Sequence, residues 1–145
     1  MRLWNGWGNE NSELLMELNS GLRNRLQMLV GPATPLGEAT LEQVMAKVPA
    51  SRAPAHPLIS TDPEIRVRHA RGQSLPDWLA MHSGDVDSFP DAVALPENSE
   101  QVRELLRYAR DNNIDVIPYG GGTSVVGHIN PEISPRPILT IDMST

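Results

Sequence analysis

The sequence predicts an α/β or α+β protein, assigned here as α+β, in which a helical leader precedes one βαβ unit. In residues 92–118 a short apolar stretch, an amphipathic stretch and a second apolar stretch follow one another, as strand, helix and strand do. In the first fifty residues apolar side chains recur at steps of three and four, which is typical of helices. We expect a helical leader with a Pro-rich linker in residues 1–62, a short helical connector in 63–90 and the βαβ part in 91–145.

The leader is predicted to start with one amphipathic helix. Asn11 or Ser12 can cap its N-terminus, and Gly31 followed by Pro32 ends it. One side of this helix is apolar and is formed by leucines at helical spacing, which are Leu14, Leu15, Leu18, Leu22, Leu26 and Leu29.

Two shorter helices are predicted from their N-terminal caps. Thr40 and Gln43 have the spacing of a capping box, in which each side chain bonds the other residue's main-chain N–H. Ser74 and Asp77 have the same spacing at the start of the connector helix. Between these helices residues 49–62 are rich in Pro and Ala and show no periodicity, so this segment is predicted to be a linker.

The βαβ part is the most regular region. Residues 92–95 and 114–118 are predicted strands, and residues 138–141 form a third. Asn98 and Gln101 can form a capping box for the helix between the first two strands. Strands joined by such a crossover are parallel, and the crossover is right-handed. The apolar stripe of this helix consists of Val102, Leu105, Leu106 and Ala109.

Composition excludes several classes of function. The net charge is −6, and it is uneven: residues 1–75 carry 8 basic and 7 acidic side chains, whereas residues 76–145 carry 4 and 11. Such an acidic surface repels phosphodiester backbones, so neither nucleic acid nor an anionic membrane is an expected partner. The chain has no Cys, no apolar run approaching the ~18 residues of a membrane span, and no secretory signal at its start. We therefore expect a cytoplasmic protein.

A glycine-rich loop is the main candidate for chemistry. It starts at Pro118, reads PYGGGTSVVGH to His128 and stays irregular to about residue 137. Three consecutive glycines let a ligand approach the main chain, whose N–H groups can then form a concave anion-binding nest. Thr123 and Ser124 add hydroxyl donors, and no Lys or Arg lies between residues 110 and 136. The loop therefore suits a buried diphosphate held by amides and hydroxyls.

Three better-known loops differ from this one. A P-loop needs Lys and Ser or Thr after its last glycine, where this chain has His128 and Ile129. The dinucleotide fingerprint needs a third glycine where Val125 stands, and a nucleophile elbow needs glycine at Val126. A glycine-rich turn that only reverses the chain stays open as an alternative on residue chemistry alone.

Other polar side chains are expected to be structural or solvated. No metal site can be assigned to the histidines that recur at every thirteenth position, His56, His69 and His82. A solvated turn is expected for the acidic run Asp85, Asp87 and Asp91, since it lacks the glycine and terminal Glu of an EF-hand loop.

The sequence of residues 90–128, PDAVALPENSEQVRELLRYARDNNIDVIPYGGGTSVVGH, resembles the start of the FAD-binding domain of the vanillyl-alcohol oxidase / p-cresol methylhydroxylase superfamily. Upstream, HARGQSLPDWLAMHSG and RLWNGWG are similar to bacterial relatives of alkylglycerone-phosphate synthase. The resemblance implies that the βαβ part is the first, smaller FAD subdomain of a PCMH-type fold and that the chain is a truncated, N-terminal fragment.

The same resemblance implies a site, a cofactor and an activity. FAD would be bound noncovalently, because family members that attach flavin through this loop have a His near its third glycine, where this chain has Gly122 and Thr123. The complete protein would be a flavin-dependent oxidoreductase on a small organic substrate, either a 2-hydroxyacid dehydrogenase or an alkyl transferase of the alkylglycerone-phosphate synthase type. A homodimer of that protein is compatible with the resemblance. The alternative is a non-catalytic binding module. The residues implied to contact FAD are Pro118, Tyr119, Gly120, Gly121, Gly122, Thr123 and Ser124.

Overall fold

Helices cover a small mixed sheet in this α+β chain. The computed structural model describes residues 3–6, 8, 19–34 and 36–144. The elements in chain order are α1 (Ser20–Val30), α2 (Leu41–Met45), β1 (Ile59–Ser60), α3 (Pro63–Arg68), α4 (Leu75–Ser83), β2 (Ala92–Ala94), α5 (Ser99–Asp111), β3 (Asp115–Tyr119) and β4 (Ile138–Asp142).

The strands lie in the order β1-β2-β4-β3. Both β2 and β3 run parallel to β4, which confirms the parallel strands expected from the crossover, and β1 is antiparallel to β2. The two strands joined by α5 are separated by β4 and do not pair with each other. In the register of β3 with β4, Tyr119 lies opposite Asp142. The carboxyl ends of these two strands therefore meet at one edge of the sheet.

Helix α5 covers one face of the sheet. Its buried residues Leu105, Tyr108 and Ala109 pack with the apolar residues of β2 and β4. Leu106, which belongs to the predicted apolar stripe, lies at its rim and is 49% exposed. Asn98 caps the helix as expected, but Gln101 Oε1 accepts from the N–H of Glu97 and not from that of Asn98, so the box is not closed.

Helix α3 also contacts β2. A second apolar cluster joins the leader to α3 and α4, since Val44 of α2 packs with Val67 of α3 and Met81 of α4. The capping boxes predicted for α2 and α4 are both formed. Trp4 packs against this cluster.

The segment 49–62 is not a free linker, which corrects the sequence-based expectation. It contributes β1 to the sheet, and the Arg52 guanidinium pairs with the Asp91 carboxylate at 2.7 Å. Arg66 of α3 also donates from Nη1 to the Pro49 carbonyl at 2.8 Å. Neither partner is close in the chain, which is why local periodicity did not reveal them.

Helix α1 lies in the second part of the predicted leader helix. Helix α1 begins after Asn19, whose side chain accepts from the N–H of Leu22 at 2.9 Å, and it contains no buried residue. The predicted caps Asn11 and Ser12 lie outside the described residues. No helix within the described ranges is long and apolar enough to cross a membrane.

Candidate functional site

A cleft opens at the edge of the sheet where β3 and β4 end. This is the end of a parallel sheet at which ligands usually bind. Its volume is about 330 Å³. The first two glycines of the glycine-rich loop form part of its wall. The residues that line it are Leu3, Arg68, His69, Tyr119, Gly120, Gly121, Asp142 and Ser144.

Gly120 and Gly121 are glycines that the fold itself does not require. Both are exposed, and neither has a positive φ. A Cβ on Gly120 would meet nothing within 4 Å, and one on Gly121 would touch only the Thr123 methyl group, at 3.7 Å. Gly122 differs, since its φ of 66° favours glycine. The space in front of Gly120 and Gly121 is therefore open to an incoming group.

Main-chain donors in this loop are available to a ligand. Among the described residues, the N–H groups of Gly120, Gly122 and Thr123 form no hydrogen bond with the rest of the chain. Arg68 lines the cleft, but its guanidinium is already paired with Glu64 at 2.9 Å. Anion binding here would therefore rest on amides and hydroxyls, which suits a diphosphate.

The far side of the loop is fixed to the start of α4. The Gln73 N–H donates to the Ser124 carbonyl at 2.5 Å. A Cβ on Gly72 would come closer to that carbonyl oxygen than any real Cβ contact, so glycine is needed for this approach. At the other end of the loop, the Met143 N–H donates to the Tyr119 carbonyl at 2.7 Å. The segment between Tyr119 and Ser124 is thus held on both sides, while Gly120 and Gly121 stay exposed.

A buried histidine and carboxylate line the cleft, and sequence reasoning missed their pairing. His69 Nε2 lies 3.1 Å from Asp142 Oδ2, Nδ1 lies 2.7 Å from the Ile65 carbonyl, and the ring packs on Tyr119 with centroids 4.6 Å apart. Burial alone would raise the pKa of Asp142, but hydrogen bonds from Ser144 and His69 outweigh it and hold the pKa below the usual value. Asp142 follows the last predicted strand, so the rule that parallel strands end at one edge could have placed it here.

The remaining predicted site residues lie beside the cleft and do not line it. Pro118 and Thr123 are exposed, Gly122 is buried and Ser124 is half-buried. The hydroxyl of Ser124 lies 3.0 Å from His128 Nδ1. Gly120 and Gly121 therefore line the cleft directly, and residues 122–124 lie beside it.

The acidic run differs from the solvated turn that was expected. Asp91 is buried and accepts from Arg52 and from the Ile138 N–H, so the expectation is wrong for this residue. Asp87 is exposed and pairs with Arg71. Asp91 therefore connects segment 49–62 to the start of β4.

Comparisons with known proteins match parts of the chain. A family model described as an FAD binding domain matches residues 90–144. The alkyldihydroxyacetonephosphate synthase of Dictyostelium discoideum is 36% identical over 85 residues, which are 59% of this chain and 14% of that protein. The mitochondrial cytochrome-type D-lactate dehydrogenase of Arabidopsis thaliana is 30% identical over 86 residues, which are 59% of this chain and 13% of that protein.

A solved structure extends the likeness to nearly the whole chain. An alkyldihydroxyacetonephosphate synthase aligns with a TM-score of 0.74 and 25% identity, covering 98% of this chain and 32% of that one. The chain therefore spans only a small part of the relatives it matches.

Proposed function

From the match of residues 90–144 to a family model described as an FAD binding domain, which agrees with the resemblance, we propose that the chain supplies the diphosphate-binding loop of a flavin-dependent enzyme. In this proposal the cofactor is FAD, held noncovalently by residues 118–124. Bound FAD supplies a ring that accepts hydride or forms an adduct with substrate. This chain's own contribution is to bind and orient the cofactor.

One observation supports this role above the alternative of a simple turn. Gly120 and Gly121 are exposed at the wall of a cleft, and neither conformation nor packing within the chain calls for glycine there. Glycine costs conformational entropy on folding, so its use at two such positions needs another reason. Close approach of a ligand to the main chain supplies that reason.

The complete protein is proposed to act on a small organic molecule. The two kinds of relative suggest two activities, dehydrogenation of a 2-hydroxy acid or alkyl transfer of the alkylglycerone-phosphate synthase type. The two activities can be distinguished by adding a 2-hydroxy acid to the oxidised protein under anaerobic conditions. A 2-hydroxy acid that is a substrate reduces the flavin, and the flavin absorbance is then lost. A cytoplasmic location and a homodimer stay predictions from the sequence.

The experiment that tests the proposal uses the protein expressed from its complete reading frame. Gly121→Val places a branched side chain at the cleft wall, and we expect FAD affinity to fall about tenfold or more, the scale of one or two hydrogen bonds to a charged group. Gly37→Val is the matched control, because Gly37 is also exposed with nothing within 4 Å of its Cβ. Acid precipitation should release the flavin into the supernatant if it is noncovalent.

The result decides between the two functions left open by the sequence. Loss of FAD from folded Gly121→Val, with Gly37→Val unchanged, supports the flavin-dependent enzyme. Equal FAD content in both variants and the parent would favour a loop that is only structural. A parent protein that neither contains nor binds FAD would remove the proposal altogether.

A further inference from the structure

Asn130 connects the loop that follows β3 to the start of α4. Its Oδ1 accepts from the Gly72 N–H at 2.9 Å, and its Nδ2 donates to Asp77 Oδ1 at 2.7 Å. The orientation of the amide is fixed chemically, because a main-chain N–H can only donate and a carboxylate can only accept. One side chain thus bridges two segments that are 53 residues apart.

Asp77 is committed on both of its oxygens. While Oδ1 accepts from Asn130, Oδ2 accepts from the N–H and the hydroxyl of Ser74, at 3.1 and 2.5 Å, and so closes the capping box of α4. The residue is 4% exposed. A carboxylate buried to this extent is held in place by all of its partners together. The cap of α4 and the bridge to Asn130 therefore share one rigid group.

The same turn of chain touches the glycine-rich loop directly. Gln73 donates to the Ser124 carbonyl, and Gly72 lies so close to it that no Cβ fits between them. Ser124 and Asn130 flank the second half of the loop. The segment 72–77 thus contacts the loop at two points, six residues apart along it.

We infer that Asp77 and Asn130 are positioning residues for the cofactor: through Gly72 and Gln73 they fix where the main-chain donors of the glycine-rich loop stand. This inference rests on the proposed function, because it assigns the purpose of the contacts to FAD binding. Neither side chain lines the cleft, so the role assigned to them is exerted through the loop main chain. A hydrogen-bonding site misplaced by a fraction of an ångström loses affinity even when every donor is present.

The chain offers a control for the purely structural role. Helix α2 begins with a capping box of the same kind, formed by Thr40 and Gln43, and neither residue has a contact with the glycine-rich loop among the described hydrogen bonds. Thr40→Ala breaks that cap and lowers stability as the loss of a cap does. The Thr40→Ala variant therefore shows how much FAD binding changes when the protein is destabilised away from the glycine-rich loop.

The test exchanges the side chains of Asp77 and Asn130 in the complete protein, first at one position and then at both. The FAD dissociation constant and the melting temperature of the apoprotein are measured for each variant. Asn130→Asp sets a carboxylate against Asp77, and we expect FAD to bind about tenfold or more weakly at temperatures where the variant is folded. Adding Asp77→Asn restores one donor and one acceptor across the bridge, so the double variant should recover FAD affinity to within about threefold. Thr40→Ala should lower the melting temperature and leave the dissociation constant unchanged.

Several results would overturn the inference. Asn130→Asp binding FAD as tightly as the parent would do so, and so would a double variant that regains the parent's melting temperature without its FAD affinity. Equal loss of FAD in Thr40→Ala would show general destabilisation. Should Asn130→Asp fail to fold, Asn130→Ser removes the bridge without a second carboxylate and serves the same comparison. Parent protein without FAD would instead refute the proposed function itself.

Discussion

Replacement of Asp91 by Ala should destabilise the fold more than any exposed acidic substitution. The Asp91 carboxylate accepts from three donors of Arg52, the main-chain N at 2.9 Å, Nε at 3.0 Å and Nη2 at 2.7 Å, and from the buried Ile138 N–H at 2.8 Å. These bonds connect segment 49–62 to the start of β4. Without the carboxylate, the Ile138 N–H stays buried and loses its acceptor.

The expected cost follows from which partners can reach water. A buried donor left without an acceptor costs about 1–3 kcal/mol. The Arg52 side chain is 47% exposed and can be rehydrated, so the ion pair adds at most about 1 kcal/mol. The expected loss in the free energy of unfolding is therefore about 1–4 kcal/mol. Asp111→Ala is the control, since its exposed pair with Arg110 should contribute less than about 0.5 kcal/mol.

The assay is urea unfolding of the complete protein followed by far-ultraviolet circular dichroism, at pH 7 and at pH 3. Burial alone would raise the pKa of Asp91, but the bonds from Arg52 and Ile138 hold it below the usual 3.8. A carboxyl whose pKa is lowered by folding stabilises the folded state above its unfolded pKa, and this is lost as the pH falls through the folded pKa. The difference in the free energy of unfolding between the parent and the Asp91→Ala variant should therefore be largest at pH 7 and smaller at pH 3. A variant within 0.5 kcal/mol of the parent at pH 7, about the level of the control, would refute the reasoning.

Three further substitutions test the fold and the site. Leu105→Ala, at a fully buried position of α5, should cost about 2–5 kcal/mol in urea unfolding, and a loss below about 1 kcal/mol would contradict the packing described. Thr140→Val should stabilise by about 1 kcal/mol, because the buried Thr140 hydroxyl has no hydrogen-bond partner among the described residues; a clear loss would reveal a partner. Gly72→Ala should weaken FAD binding about tenfold or more by pushing on the Ser124 carbonyl, as measured by flavin fluorescence titration, and unchanged affinity would show that the loop tolerates the shift.

Local features of the fold were accessible from the sequence because short-range rules govern them. The boundaries of α5 follow from its apolar stripe and from Asn98, whose side chain accepts from the Gln101 N–H as a cap should. The helix ends at Asp111, and two residues later Asn113 adopts a φ of 54°, a conformation that Asn tolerates better than most residues. The closed capping boxes of α2 and α4 were also predictable, because each depends on two residues that are three positions apart in the chain.

Long-range pairing was not accessible in this way. Arg52 and Asp91 are 39 residues apart and His69 and Asp142 are 73 apart, and no periodicity relates them. The position of β4 between β2 and β3 was also missed, because a crossover fixes the direction of the second strand but not whether another strand lies between them. In the site, the glycine-rich loop was found by its own composition, whereas its supports at residues 72–77 and 130 became visible only through contacts in the fold.

A crystal structure of the complete protein with FAD would show whether the main chain of the glycine-rich loop holds the diphosphate. We expect diphosphate oxygens to lie within about 3.2 Å of main-chain nitrogens in residues 120–124, with Gly120 and Gly121 facing the ligand. A diphosphate bound elsewhere, or a protein side chain filling the space in front of these two glycines, would contradict it.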